Sequence, residues 1–205
     1  LTDGTHTFDV RSTDEAGNTD ATPSSTTFIV DNSAPTLPVV TIPTNNTRTN
    51  NTTPFLSGTA DSGTTVTVTN QSGTTVCTTT AQPDNTWSCT SVALSEMSHT
   101  LTPESCDSVP NCSTGASSVV IIDTTAPNAP SVLTPANNTY TNDTTPAFTL
   151  TGENSSTVVL SVTTTTGVLV ATVTGTTSAT GYVLVTTPAL AEATYNYTAT
   201  NTDTA

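Results

Sequence analysis

The chain has 205 residues, of which 33% are hydrophobic, 4% aromatic and 9% charged, and its formal net charge is -14. Only two side chains are Lys or Arg, so the chain lacks the basic clusters that nucleic acids and anionic lipid surfaces require. No run of about eighteen apolar residues is present, and we therefore expect neither a nucleic-acid partner nor membrane insertion.

Two repeated segments divide the chain. The stretch DNSAPTLP that begins at Asp31 returns 92 residues later as DTTAPNAP from Asp123, and many of the following Pro, Asn and Thr residues keep this spacing. The segment LTDGTHTF at 1–8 returns as LSEMSHTL at 94–101 and as LAEATYNY at 190–197. Self-similarity at a nearly fixed period indicates a tandem repeat protein.

The repeats predict three segments in chain order. Residues 1–33 are the C-terminal strands of a preceding repeat, residues 34–123 form a complete repeat, and residues 124–205 form a repeat that lacks its last strand. Val66 and Val68 alternate with threonines, which is the period-two pattern of a half-buried strand. For the complete repeat we predict seven strands, at 37–42, 53–58, 64–70, 74–80, 86–92, 98–104 and 115–122.

Turn signals separate the predicted strands by about eight to twelve residues, which is typical of a β-sandwich. No long helix is predicted. The fold class is therefore all-β, with tandem immunoglobulin-like, Greek-key β-sandwiches of about seven strands each.

Several short motifs together resemble the bacterial Ig-like repeats of large exported surface adhesins. They are D-x-x-A-P-x-x-P from Asp31, L-S-G-T-A at 56–60, V-C-T-T-T and N-T-W-S-C within 76–89, and D-G-T-H-T-F with T-D-E-A-G-N within 3–18. The resemblance implies an extracellular stalk or adhesin role, often with calcium between the domains. Neighbouring Ig-like repeats are the partners that it implies, and copies of the same chain are partners only in the filament alternative below.

Acidic side chains fall in loops that the predicted topology sends to the domain junctions. Calcium binds about six to eight oxygen ligands from Asp, Glu, Asn and backbone carbonyls, and without a cation the clustered carboxylates would repel each other. The predicted ligands are Asp3, Asp31, Asp61, Asp107 and Asn111 at the first junction, Glu96, Asp123, Glu153 and Asp203 at the second, and Asp14 and Asn18 for a junction upstream. The loop that holds Asp84 is expected at the same end as the first junction. The alternative is that Asp and Asn only cap turns through local hydrogen bonds.

The four cysteines suggest two disulfide bonds. Cys77 and Cys89 flank one turn and would face each other across a hairpin, and Cys106 and Cys112 bracket a short loop. Metal binding is the alternative, but the chain lacks the paired C-x-x-C spacing and the supporting His residues of a zinc site. Disulfides predict an exported protein.

Catalytic motifs are absent from the sequence. There is no G-x-S-x-G, P-loop or H-E-x-x-H, and we predict that the chain is not an enzyme. His6 and His99 occupy a repeat position at which the last repeat has Tyr195. A position that accepts His or Tyr favours packing or hydrogen bonding over base catalysis.

Two functions from different classes fit these observations. The first is a stalk of stacked domains, in which Pro-rich linkers limit bending. The second is a filament subunit that polymerises head to tail, because residues 24–31 contain the strand that the last repeat lacks. Strand addition between copies of the chain would then complete the open domain. Residues 1–16 duplicate residues 190–205, however, so one of these two segments would have no position in the completed domain.

Overall fold

The computed structural model describes all 205 residues, which form β-strands and loops. It contains no helix with the length and apolarity that are needed to cross a membrane. The abundant Thr and Val residues favour strands because β-branched side chains pack well on a pleated surface. The strands are β1 Gly4–Val10, β2 Ser24–Val30, β3 Val39–Ile42, β4 Thr47–Thr49, β5 Phe55–Thr59, β6 Thr65–Thr69, β7 Thr75–Thr80, β8 Thr86–Thr90, β9 Met97–Cys106, β10 Cys112–Thr114, β11 Ser118–Ile122, β12 Ser131–Thr134, β13 Ala147–Thr151, β14 Thr157–Thr164, β15 Leu169–Thr176, β16 Tyr182–Thr186 and β17 Tyr195–Thr202.

The seven strands predicted for the complete repeat are all present, as β3, β5, β6, β7, β8, β9 and β11. Two further strands, β4 and β10, were not predicted. Each has three residues, which is too short for an alternating pattern to be visible in the sequence. Both exist because a neighbouring strand pairs with them.

The chain divides into two compact units, residues 1–47 with 52–121 and residues 48–51 with 122–205. In the first unit, the sandwich consists of a small sheet β3-β5-β8 and a larger sheet β4-β11-β9-β6-β7, with β10 added to β9. Its core includes the fully buried Leu56, Val66, Trp87 and Leu101. The predicted all-β, immunoglobulin-like fold class is confirmed.

The first unit also contains the hairpin β1-β2, in which His6 pairs with Phe28 and stacks on its ring at 5.7 Å. These two strands correspond by repeat position to β9 and β11. Phe8 and Phe28 are 60% and 43% exposed, whereas their counterparts Leu101 and Val120 are fully buried. The hairpin therefore presents a face that is core in the complete repeat.

The second unit is built from the sheets β12-β13-β16 and β15-β14-β17. Phe148, Leu150, Val158 and Leu160 belong to the core between them. Strand β17 lies at the edge of its sheet, where the counterpart of β11 would pair. Residues 139–141, which correspond by repeat position to β4, form no strand.

Candidate functional site

Residues 31–38 link the hairpin to the sandwich of the first unit, and predicted site residues bind this linker from both sides. On the hairpin side, Asn32 donates its backbone N–H at 2.9 Å and its side-chain amide at 2.8 Å to Asp3 Oδ1. The Ser33 hydroxyl donates to Asp3 Oδ2. The hydrogen bonds from Ser33 and Asn32 lower the pKa of Asp3, so they favour the ionised carboxylate.

On the sandwich side, Asp61 binds Thr36 through two hydrogen bonds. The backbone N–H of Thr36 donates to Oδ2 and its hydroxyl donates to Oδ1, each at 2.7 Å. Both donors lower the pKa of Asp61, with the hydroxyl as the larger cause. A carboxylate that accepts two hydrogen bonds from one residue fixes both the position and the orientation of that residue.

A loop between β9 and β10 binds the linker main chain. Asp107 accepts hydrogen bonds from the backbone N–H of Asn111 at 3.0 Å and from its side-chain amide at 3.1 Å. The same amide nitrogen donates to the carbonyl of Asp31 at 3.1 Å. Burial raises the pKa of Asp107, but the hydrogen bonds from Asn111 and Val109 outweigh it and the pKa is lowered overall.

Two serines on the flanking strands hold the next linker carbonyls. Ser113 Oγ donates to the carbonyl of Pro35 at 2.6 Å, and Ser105 Oγ donates to the carbonyl of Thr36 at 3.3 Å. Gly115 completes this surface, because a Cβ there would lie 1.9 Å from the carbonyl oxygen of Pro38.

Of the acidic residues predicted near the first junction, Asp3 and Asp61 thus bind the linker directly and Asp107 reaches it only through Asn111. Asp84 does not bind the linker, because its carboxylate accepts hydrogen bonds from Thr86 in its own turn.

The residues predicted for the second junction are only partly brought together. Asp123, Glu153 and Asp203 line one cavity of about 350 Å³ in the second unit, together with Arg48, Asn154, Ser155 and Thr204. Asp123 forms an ion pair with Arg48 at 3.1 Å. Glu96 is not among the residues that line this cavity.

The fit of these residues to calcium is limited by where their oxygens point. Calcium ligands lie at about 2.3–2.6 Å from the ion, so a formed site brings several oxygens close together. One group of three potential ligand side chains lies within 4.8 Å of one another, and it consists of Glu104, Cys106 and Cys112. Its two sulfurs belong to a disulfide. The carboxylates of the first junction instead accept hydrogen bonds from protein donors: Asp3 from Asn32 and Ser33, Asp61 from Thr36, and Asp107 from Val109 and Asn111 in its own loop. Interdomain calcium stays a prediction.

Both predicted disulfides are present. Cys77–Cys89 joins β7 of the larger sheet to β8 of the smaller sheet, and Cys106–Cys112 closes the loop that holds Asp107 and Asn111. No cysteine is free. The prediction that Cys77 and Cys89 face each other across a hairpin is wrong, because β7 and β8 do not pair and belong to different sheets. This bridge therefore connects the two sheets, and the second closes a local hairpin.

The repeat position shared by His6, His99 and Tyr195 has one function in all three repeats. In each case the side chain bonds to the backbone carbonyl four residues earlier. The bonds are His6 Nε2 to Thr2 at 2.8 Å, His99 Nε2 to Ser95 at 2.9 Å and Tyr195 Oη to Ala191 at 3.0 Å. The predicted hydrogen-bonding role is confirmed.

Sequence reasoning missed the linker donors and the strand-end residues that bind linker carbonyls. Asn201 donates to the carbonyl of Asn128 at 3.4 Å, and it occupies the repeat position of Ser105, whose acceptor Thr36 corresponds to Asn128. The signal that would have found this contact is a polar side chain that recurs at a strand position otherwise expected to be buried.

The sequence profile of the bacterial Ig-like domain family matches residues 41–124 and 134–205. Among solved structures, the chain is similar to a tetra-tandem repeat from the extending region of a large adhesion protein, with 26% identity over 99% of this chain and 54% of that one and a TM-score of 0.37.

Two further solved structures are similar to the chain. They are the BSP domain of a biofilm associated protein, with 24% identity over 82% of this chain and 27% of that one and a TM-score of 0.32, and the Clostridium thermocellum CbhA fibronectin(III)-like modules, with 14% identity over 80% and 92% and a TM-score of 0.42. The chain spans about half of the adhesion-protein repeat structure and about a quarter of the biofilm-protein structure. No curated protein sequence matches it.

Proposed function

The chain belongs to the bacterial Ig-like domain family, and we propose that it acts as a non-catalytic structural module of an extracellular, adhesin-type surface protein. In this function its repeats form part of a stiff stalk. The partners of each repeat are the neighbouring Ig-like repeats. In this proposal, any ligand of the whole protein binds to regions outside this chain.

The observation that carries this proposal is the linker at residues 31–38, which is bound from both sides. Asp3 holds it from the hairpin, and Asp61 and Asn111 hold it from the sandwich. A chain of Pro and small polar residues would otherwise be a semi-flexible spacer. Hydrogen bonds at several successive residues turn it into a fixed joint.

The test is to measure whether hairpin and sandwich tumble as one body. Backbone 15N relaxation of the full chain should give the same rotational correlation time for β1-β2 and for β5-β9. The variant D61N/N111A should shorten the correlation time of β1-β2 alone. Different correlation times in the unsubstituted chain would contradict a stiff joint.

We also propose calcium as a second source of stiffness, at the cavity lined by Asp123, Glu153 and Asp203. Three carboxylates beside one guanidinium leave this cavity with an excess of negative charge, which favours a divalent cation. Calorimetric titration with CaCl₂ should show saturable binding that the variant E153Q/D203N loses. Binding that is unchanged in this variant would place calcium elsewhere, and no binding at millimolar calcium would remove it from the proposal.

Location and parent size have their own test. Antibodies against this chain should label intact cells of the source bacterium without permeabilisation. An immunoblot of the surface fraction should show a species far above 20.9 kDa if the chain is part of a longer array. Labelling that requires permeabilised cells would contradict a surface module.

A second candidate function is a filament subunit, and the exposed apolar face of the hairpin favours it. Phe8 and Phe28 are exposed, and β17 has an unpaired edge that a strand equivalent to β2 would fit. Light scattering after size exclusion decides between the two candidates. A mass that rises with concentration, and that the variant F8S/F28S abolishes, supports assembly; a monomer at about 100 μM contradicts it, because that concentration is far above the Kd of stable subunit contacts.

A further inference from the structure

The outer face of the small sheet β3-β5-β8 carries apolar side chains that have no partner within the repeat. Val39, Ile42 and Phe55 are 49%, 50% and 51% exposed. Ile42 pairs with Ser57, so it is the diagonal cross-strand neighbour of Phe55, at about 7–8 Å. The other side chains of this face are hydroxyls. We refer to the whole set as the neutral face, which consists of Val39, Ile42, Phe55, Ser57, Thr59, Thr86, Ser88 and Thr90.

The neutral face contains no charged residue, although the chain has a net charge of -14. All acidic residues except Asp9 and Glu104 lie outside the strands, and Glu104 is on β9 of the larger sheet. Arg48 is on β4 of that larger sheet as well. Because like charges repel and carboxylates are costly to remove from water, a second acidic chain can pack most closely where carboxylates are absent. The neutral face is such a place.

The edge strand β3 of the same sheet is poorly suited to pairing with another chain. Pro38 and Pro43 flank this strand, and a bulge interrupts its pairing between Val40 and Ile42. Proline and bulges at a sheet edge hinder the addition of a further strand. A partner of this sheet therefore has to pack on its face and not along β3.

The second unit has the same arrangement with different side chains. Tyr182 and Leu184 are exposed on β16, and strands β12, β13 and β16 contain no charged residue. Pro130 and Pro135 flank the edge strand β12, which also has a bulge. An uncharged and partly apolar outer face therefore recurs on the small sheet of both sandwiches.

We propose that the neutral face of the complete repeat binds the neutral face of a second copy of this chain. Two copies bring faces of identical width and twist, and twisted sheets pack face to face at about 10 Å and about 30°. Such a contact about a two-fold axis is self-complementary. The proposal goes beyond the stalk function, because it adds a partner from a separate chain to the neighbouring repeats.

The dimensions of the neutral face predict a weak contact. Three strands of about five residues cover roughly 14 Å by 17 Å, which is well below the roughly 800 Å² per partner of a standard interface. We therefore expect a dissociation constant of about 1 mM for one pair of faces. Repulsion between the acidic loops opposes the contact, so added salt should strengthen it by screening these charges.

The test is a dilution series of the full 205-residue chain, labelled with 15N, over about 0.05–1 mM, a range that includes the expected dissociation constant. The buffer contains about 0.5 M NaCl, which screens repulsion, and EDTA, which excludes cation bridges between carboxylates. We expect amide shifts at residues 39–42, 55–59 and 86–90 that grow with concentration and fit a monomer–dimer equilibrium.

A matched pair of variants tests whether the absence of charge matters. S88E places a carboxylate on the neutral face, where a two-fold contact brings it close to its own copy, and should weaken the dimer by about tenfold or more. T174E adds the same charge at an exposed position of β15 and should leave the shifts unchanged. I42T/F55T removes apolar contacts instead of adding charge and should weaken the dimer to a similar extent.

Three results would overturn the proposal. The first is the absence of concentration-dependent shifts at these residues up to about 1 mM, which would leave the neutral face to a different, uncharged partner. The second is an equal effect of S88E and T174E. The third is loss of the shifts in F8S/F28S but not in S88E, which would assign the contact to the hairpin.

The design keeps the proposal testable and separate from the stalk function. If S88E unfolds the small sheet, I42T/F55T provides the same test, because it replaces half-exposed residues by Thr, which favours strands. The stalk function would survive a negative result, because its relaxation test concerns the linker at residues 31–38.

Discussion

Thr36 donates its backbone N–H and its hydroxyl to the two carboxylate oxygens of Asp61, each at 2.7 Å. The two residues are 25 positions apart, one in a linker and the other in a loop after β5. This contact converts an acidic loop residue into the anchor of a joint. One carboxylate of the first junction is therefore stabilised by hydrogen-bond donors of the protein and not by a cation.

Substituting Asp61 should loosen this anchor. Hydrogen bonds to a charged group contribute more than neutral ones, and partial exposure reduces their value. We therefore expect D61A to lower the free energy of unfolding by about 1 kcal/mol, measured by urea denaturation. The control is D9A, since the Asp9 side chain is exposed and forms no hydrogen bond. An equal loss in both variants would contradict the anchor.

The stability of the chain should fall in acid. The pKa values of Asp3, Asp61 and Asp107 are lowered by hydrogen bonds in the folded state. A lowered folded pKa contributes stability that is fully present above the unfolded pKa of about 4 and is lost as the pH falls through the folded pKa. The urea midpoint should therefore decrease below about pH 4.

A matched pair of variants separates this effect from general charge repulsion. D3N/D61N/D107N should be less stable at neutral pH and should show a flatter pH dependence. D9N/E15Q/E192Q removes the same number of carboxylates from exposed positions and should keep the acid sensitivity. If both variants flatten the pH profile equally, repulsion and not the linker contacts determines it.

The two disulfides should differ in what they stabilise. Cys77–Cys89 connects the two sheets, and Cys77 is 8% exposed. Its removal in C77A/C89A should lower the free energy of unfolding by about 3 kcal/mol. Thr13 and Thr19 stand 93 positions before Cys106 and Cys112 in the repeat, and their hydroxyls lie 3.1 Å apart. In the variant C106T/C112T, slow amide exchange at Asn111 should therefore show that the loop keeps its shape. Loss of that protection would mean that the bridge itself forms the loop.

Substitutions at the repeat position shared by His6 and His99 should change stability according to how buried each side chain is. His99 is 4% exposed, whereas His6 lies half-buried in the hairpin. H99A leaves the Ser95 carbonyl without its donor and opens a cavity, so thermal unfolding should show a loss of about 2 kcal/mol. H6A should change stability by less than about 0.5 kcal/mol, and equal effects would show that burial does not decide the role.

The repeat spacing, the strand positions and the cysteine pairs could be predicted because they are local or periodic patterns. Val66 and Val68 alternate with Thr wherever the strand lies, and Cys77 and Cys89 flank one turn. The same reasoning placed Asp3, Asp61 and Asn111 at one junction, since loop order follows from strand order. It did not predict β4, whose three residues form a strand only because β11 lies beside them.

The sequence by itself determined a tandem β-sandwich chain, because alternation and self-similarity depend only on the order of residues. Only the tertiary structure decided which atoms the acidic side chains bind. Asp61 meets Thr36 and Asn111 meets Asp31 across 25 and 80 residues of chain, and the directions of these side chains depend on how distant loops pack. Hydrogen bonds require alignment within a few tenths of an ångström, and composition carries no information at that scale.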